Sequence, residues 1–224
     1  MRPLRLLLEK PVLSELELIV EEKNMKEPST YYITGPYLMF DKPNKNKRQY
    51  PQSEMVNEVK RYTEEFINRN RALGELNHPQ DSTEVDLTRA CHCVIQLEQK
   101  DSNFYWGKSK VLSTPTGLIT RTLLQDGIKL GISSRALGRL VPTGDVNMVE
   151  GLRLLALDVV HEPSVNDAML ESIMENRQFI IDQGGKVVEL ACDSLACKLN
   201  ALPKKDVDNY IVETFASFFN SLKG

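Results

Sequence analysis

Leu152-Arg153-Leu154-Leu155-Ala156-Leu157-Asp158-Val159-Val160 decides the fold class of this chain. The run is short, almost wholly apolar and preceded by Gly151, the pattern of a strand buried on both faces. Asp158 is the anomaly in it. An unpaired carboxylate in such a strand is costly, so it must find a donor or take up a proton. A histidine N–H is a suitable donor; an arginine partner or a turn-capping role is the purely structural alternative.

Outward from this run, residues 2–9, 29–40, 88–99 and 104–112 are short apolar or alternating stretches separated by Pro, Asn, Asp and Gly, which read as strands. Residues 129–134 form a further strand or strand end. Helical spacing is confined to residues 53–73, with Met55, Val56, Val59, Tyr62, Phe66 and Ile67 on one face and Ser53 as cap, and to residues 118–125, stopped by Gly127. A sheet-rich α+β core follows. Past His161-Glu162-Pro163-Ser164 the period becomes helical over residues 166–181 and 187–199, and residues 206–222 carry Val207, Tyr210, Ile211, Phe215, Phe218, Phe219 and Leu222 on one stripe. The expected division is therefore a domain of residues 1–165 and a helical C-terminal extension of residues 166–224.

With 224 residues and 41% hydrophobic content the chain can bury one substantial core, and a net charge of −3 gives no global attraction to nucleic acid or an anionic membrane. The apolar run near Met1 is too short for a secretory signal, and no later stretch reaches bilayer-spanning length, so synthesis inside a cell is expected. Cys91/Cys93 and Cys192/Cys197 are expected to stay reduced. On a strand both thiols of Cys91-His92-Cys93 point to one face and His92 to the other, so no metal site is expected. The basic stretch Lys42-Pro43-Asn44-Lys45-Asn46-Lys47-Arg48 is turn-rich with no phosphate loop beside it, and reads as a solvated loop rather than a nucleic-acid site.

The residues with chemistry are few. His78 precedes Pro79, which biases it out of the helical region onto a loop or strand edge. Ser133 and Ser134 lie between Gly131 and Arg135, with Gly138 read as a turn. On position alone His78 and Ser133 are more ordinary than catalytic. Together with Asp158 they supply a nucleophile, a base and an orienting carboxylate, the division of labour of a serine hydrolase.

Three motifs make the chain resemble the prohead proteases of tailed bacteriophages, the capsid-assembly serine proteases of the T-even type. Asn44-Lys45-Asn46-Lys47-Arg48-Gln49-Tyr50-Pro51 is similar to the family's Asn-x-Asn-x-Arg-x-Tyr-Pro segment, Ala72-Leu73-Gly74-Glu75-Leu76-Asn77-His78-Pro79 to its histidine motif, and Gly131-Ile132-Ser133-Ser134-Arg135-Ala136-Leu137-Gly138 to its serine motif. The likeness covers residues 1–168. Ala136 departs from it, since the phage pattern often has Gly there.

The resemblance implies a herpesvirus-protease-like small β-barrel surrounded by helices. It assigns Ser133 as nucleophile and His78 as general base, with Asp158 as third member and His161 and His92 as alternatives. Arg135 and Arg139 would be oxyanion- or substrate-anchoring groups. The implied activity is a serine endopeptidase that needs no cofactor and cuts scaffold and major capsid proteins, and itself, after glutamate preceded two residues earlier by an aliphatic residue. It would work inside the prohead, in the cytoplasm of an infected bacterial host, with neither nucleic acid nor membrane as partner. A homo-oligomer is compatible with this. Ile173-Met174-Glu175 and Ile211-Val212-Glu213 fit the cleavage pattern, so residues 166–224 are expected to be a removable, scaffold-docking tail. The rivals are a non-catalytic scaffold or capsid-core protein that keeps the fold, and an esterase-like hydrolase, which the lack of a Gly-x-Ser-x-Gly elbow disfavours.

Overall fold

In the computed structural model, which describes residues 4–9, 16–21, 29–79, 82–101, 103–161, 178–182, 184 and 186–189, the run 152–160 is the second half of a longer strand. That strand, β9 (Val146–Val160), pairs antiparallel with β8 (Gly131–Thr143). The loop between them, Gly144-Asp145, is a two-residue turn in which Gly144 takes φ 60°. Gly151 does not start the strand. It lies where the register shifts, at φ 61°, so β9 bulges there rather than ending. Gly138 is likewise inside β8 and not in a turn: a Cβ there would stand 2.9 Å from both Leu7 and Val149 side chains.

Two sheets carry the core. The first has the order β11-β10-β1-β8-β9-β4, built from β1 (Leu4–Leu8), the short parallel β4 (Arg48–Gln49), β10 (Gln178–Ile181) and β11 (Val187–Glu189) around the β8–β9 hairpin. The second has the order β2-β3-β7-β6-β5, from β2 (Glu17–Glu21), β3 (Thr30–Met39), β5 (Leu73–Glu75), β6 (Ala90–Asp101) and β7 (Phe104–Val111). Leu7, Ile33, Tyr37, Val94, Ile132 and Leu157 pack within one buried cluster.

The fold is a sheet-dominated α+β fold with few helices, and among the described residues the expected small β-barrel does not close. Among the described residues the sheets meet through isolated contacts, the parallel bridge Leu76–Val159 and the bond from Leu16 N–H to Leu130 O, where a closed barrel would have ladders. The helices described are α1 (Gln52–Glu65), followed by one 3-10 turn at Ile67–Arg69, and α2 (Pro115–Gln125). Helix α1 stops eight residues before the expected end, where Phe66 leaves helical geometry at φ −120°; the 3-10 turn after it ends at Asn70, left-handed at φ 54°, and Leu73 is drawn into β5 beside β6. Its N-terminus is held by Asp41 Oδ1, which accepts from Gln52 N–H at 2.9 Å, and not by Ser53. Helix α2 starts earlier than expected, capped by Thr114, whose side chain accepts from Gly117 N–H.

The helical reading of residues 166–181 and 187–199 is corrected where the chain is described. β10 and β11 are strands, with Phe179 packed on Leu4, Leu6 and Leu137, so an edge position on β1 outweighs helical periodicity. Glu175, Cys192, Cys197, Glu213 and the stripe at 206–222 lie outside the described residues.

Helix α1 also uses its polar face. Glu54 and Glu58 accept from the N–H groups of Leu152 and Leu154 at 3.1 and 2.6 Å, and the Arg61 guanidinium donates to Leu154 O at 2.7 Å. These side chains satisfy β9 backbone groups beyond the short β4. Glu58→Ala is expected to leave a buried N–H unpaired and lower stability by about 2–3 kcal/mol in urea unfolding. Glu64→Ala on the exposed face should stay within about 0.5 kcal/mol of the parent.

Candidate active site

The segment Gly74-Glu75-Leu76-Asn77-His78 is laid against β9 one residue at a time. A Cβ on Gly74 would meet Leu157 O at 2.0 Å and His92 Nε2 at 2.2 Å, so only glycine permits this approach. Glu75 N–H donates to Asp158 Oδ1 at 2.9 Å, Leu76 bridges Val159, and Asn77 N–H donates to Val159 O at 2.8 Å. Asn77 then turns at φ 64°, in the left-handed region that Asn tolerates better than most residues, and delivers His78 to the sheet.

There His78 Nδ1 lies 2.8 Å from Asp158 Oδ2, and His78 Nε2 lies 2.7 Å from Ser133 Oγ. Ser133 and Asp158 are direct cross-strand partners in the β8–β9 ladder, so the hairpin register sets the nucleophile beside the carboxylate. Asp158 is fully buried. Burial alone raises a carboxyl pKa, but the His78 hydrogen bond, the Arg135 charge and the Glu75 N–H outweigh it and hold Asp158 below its ordinary value. An ionised Asp158 accepts a hydrogen bond from His78 Nδ1–H, which leaves Nε2 free to accept from the Ser133 hydroxyl.

The Arg135 guanidinium, expected as an oxyanion or substrate anchor, is engaged with the groups behind the site. It shares a face of β8 with Ser133, two residues along, and is wholly buried behind the site. Its Nε lies 3.1 Å from Asp158 Oδ2 and one Nη lies 2.9 Å from Glu75 Oε1, while the other donates to Ser82 O and Glu84 O. Arg89 closes the network on Glu75 at 3.2 Å. Arg139 is further off still. It lies six positions along β8 from Ser133, roughly 20 Å of extended chain, and it faces Glu150 at 3.8 Å.

Neither alternative histidine joins His78. His161 is exposed at the end of β9. His92 is buried, and its Nε2–H donates to Leu157 O at 2.9 Å; burial pushes its pKa down to about 4, so it stays neutral. Cys91 and Cys93 are buried free thiols, the Cys91 thiol pushed up to about 12 by burial. Ala136 is buried in β8 beside a register shift, where a methyl group fits without a turn.

The Asn-x-Asn-x-Arg-x-Tyr stretch is solvated only in part: Lys42, Pro43, Lys45 and Lys47 are exposed, whereas Arg48 and Tyr50 turn inward. Asn44 and Asn46 donate to Glu9 Oε2 at 2.6 and 3.0 Å, Arg48 pairs with Glu9 Oε1 at 3.2 Å, and the Tyr50 hydroxyl also donates to that oxygen. Arg48 and Glu9 are both buried. Glu9 N–H donates to Ser134 O at 3.0 Å, and Glu9 O lies 3.5 Å from His78 Nε2. Glu9 was not singled out from the sequence. The signal was there: Leu7-Leu8-Glu9 has the same aliphatic-x-Glu pattern as residues 173–175 and 211–213.

A hydroxyl, an imidazole and a buried carboxylate joined in one line on a two-sheet α+β core define a site of the serine-hydrolase class. The chain belongs to the prohead core protein serine protease family, which it matches over residues 5–178. It is 33% identical over 142 residues to the prohead core protein protease of Enterobacteria phage T4, a match covering 61% of this chain and 66%, just under two thirds, of that protein. Its fold is similar to the structure of the bacteriophage T4 capsid assembly protease, with a TM-score of 0.63 at 29% identity over 71% of this chain and 99% of the other.

The His92 environment yields a pH signature. Its folded pKa near 4 lies below the ordinary 6.5, so between these values the unfolded chain binds more protons. This stability is complete above pH ~6.5 and is lost as pH falls toward 4, by up to roughly 3 kcal/mol. Denaturant titrations of Ser133→Ala protein at pH 7, 5.5 and 4.5 should show the decline, and adding His92→Asn should flatten it. Asp158, its pKa lowered in the fold, loses its own contribution only at lower pH.

Proposed function

We propose that the chain is a serine endopeptidase of prohead maturation, a reading carried by the Ser133–His78–Asp158 line at 2.7 and 2.8 Å. Ser133 Oγ attacks a substrate carbonyl as its proton passes to His78 Nε2. The C–N bond then breaks, His78 returns that proton to the leaving amine, and water hydrolyses the acyl-enzyme by the same route in reverse. Asp158 orients His78 and stabilises the imidazolium, and Arg135 and Glu75 hold Asp158. No cofactor enters these steps.

The substrates in this reading are scaffold and major capsid proteins inside the prohead of an infected cell, cut after glutamate, and the chain itself. The placement of Glu9 supports both the glutamate preference and self-cleavage, because its carbonyl already faces the His78–Ser133 pair. The bond after Glu9 is therefore a proposed self-cleavage site beside those after Glu175 and Glu213. Residues 166–224 are proposed as the removable docking extension, although a cut after Glu175 would also detach β10 from β1. Kinship of the core with herpesvirus proteases is proposed on the motif resemblance.

Intact-mass measurement of full-length protein over time should show loss of segments ending in glutamate for wild type and Ser134→Ala. Ser133→Ala and His78→Ala should remain full length, with rates reduced at least ~10²-fold. Asp158→Asn, which favours the wrong His78 tautomer, should cut the rate by up to about 10⁴-fold. An active Ser133→Ala protein overturns the assignment.

A further inference from the structure

The three residues that carry the chain from β5 to the catalytic imidazole turn their carbonyl groups toward one side chain. A single Nη of Arg89 donates to Leu76 O at 3.3 Å, to Asn77 O at 3.2 Å and to His78 O at 3.4 Å. Among the described residues no other group donates to these oxygens. The main-chain O of Arg89 also accepts from Leu76 N–H at 3.1 Å, so one residue holds Leu76 through both its polar groups. Arg89 Nε lies 3.2 Å from Glu75 Oε2, a pairing of charges without an aligned hydrogen bond. The directed bonds of this guanidinium therefore go to the loop.

The loop needs such a hold because the sheet releases it one residue too soon. The last main-chain bond to β9 is from Asn77 N–H to Val159 O, and the next residue is His78. Asn77 is left-handed at φ 64°, a conformation that a residue with a side chain keeps only where its surroundings impose it. Pro79 follows His78 and has no N–H to offer. Three carbonyl dipoles aimed at one point also repel one another unless a cation stands among them. Arg89 is itself well placed for this. It directly precedes Ala90, which pairs with Glu75 in the β5–β6 ladder, and its N–H donates to Asp86 O at 3.0 Å. Asp86 in turn donates its N–H to Glu75 Oε1 at 3.0 Å, and its carboxylate holds the N–H and hydroxyl of Thr88.

From this we infer that Arg89 is a positioning residue for the reaction: it clamps the carbonyls of residues 76–78 so that the His78 imidazole meets Asp158 and Ser133 at once. The inference rests on the peptidase reading and adds to it a residue that touches neither substrate nor the reacting atoms. A catalytic group displaced by about 1 Å can lose about 10²-fold in rate, so slack in this loop is costly. Clamp and charge balance are separable. A lysine in this place would keep a positive charge beside Glu75, but its compact ammonium lacks the planar fork that spans Glu75 and three carbonyls together. The Arg89 side chain is 38% exposed, so truncating it opens a slot that a free guanidinium ion can enter from solvent.

The test times the labelling of Ser133 by a fluorophosphonate in full-length protein, which reads the activated hydroxyl without depending on how a peptide is recognised. Arg89→Ala should label at least about tenfold more slowly than wild type. Guanidinium chloride at millimolar strength should restore most of that rate, and urea or sodium chloride at the same strength should not. A variant that merely folds poorly is not mended by a denaturant. Arg89→Lys should stay slow, and a wild-type rate in it would assign the effect to charge balance and overturn the clamp. A second measurement needs no chemistry: in Ser133→Ala protein the His78 Nδ1–H bonded to Asp158 gives a far-downfield proton resonance. Adding Arg89→Ala should broaden or abolish it while the rest of the spectrum keeps its dispersion, and guanidinium should bring it back. A wild-type labelling rate in Arg89→Ala, or a slow rate with the His78 resonance intact, overturns the positioning role and leaves the peptidase standing. Wild-type protein that does not label at Ser133 overturns the peptidase reading, and survival or loss of the resonance then decides the clamp by itself.

Discussion

A buried carboxylate organises this molecule. Asp158 sits wholly inside a strand of the main sheet, where an ionised group is tolerated only if donors surround it. The donors come from three chain segments: Arg135 from the neighbouring strand, the Glu75 N–H from the edge of the other sheet, and His78 from the loop that follows. Each must be in place for the charge to be satisfied. The need to pair Asp158 therefore ties the two sheets together at the point where chemistry is proposed.

The second buried layer follows from the first. Arg135 carries more hydrogen-bonding capacity than Asp158 can use, and Glu75 takes the surplus while Arg89 balances Glu75 from the more exposed side. Two carboxylates and two guanidinium groups thus neutralise one another behind the triad. Such a network adds little stability over an apolar core, but it fixes geometry, because removing any member strands a buried charge. His92 completes the packing as a neutral donor to Leu157 O, in the narrow space that Gly74 leaves.

The three sequence motifs resolve into three physical tasks. The histidine motif is a docking device, with a glycine for close approach, a glutamate for the ion network and an asparagine for the left-handed turn. The serine motif is a strand, not a turn, and its alternation puts Ser133 and Arg135 on the same face. The Asn-x-Asn-x-Arg-x-Tyr motif is a carboxylate cradle. Its charge and turn-forming composition suggested a solvated loop, and only its partner, thirty-five residues upstream of Asn44, shows otherwise.

Local pattern determined a good part of this protein. Alternation and apolar runs placed the long strands, helical spacing placed α1 and α2, and the anomaly of an acid in an apolar strand marked Asp158 before any partner was visible. Motif resemblance then chose Ser133 and His78, which spacing alone could not raise above ordinary loop and strand residues. Tertiary structure decided the rest, because it turns on contacts between distant segments. The β8–β9 register brought Ser133 to Asp158 and left His92 and His161 aside. Pairing with β1 made a strand of residues whose period reads as helical, Phe66 ended a helix early, and the positive-φ Gly151 carried a strand past an apparent start. Glu9 belongs to this second class: a glutamate at the end of an apolar run carries no sign of its role until the fold brings four donors to its carboxylate and His78 to its carbonyl.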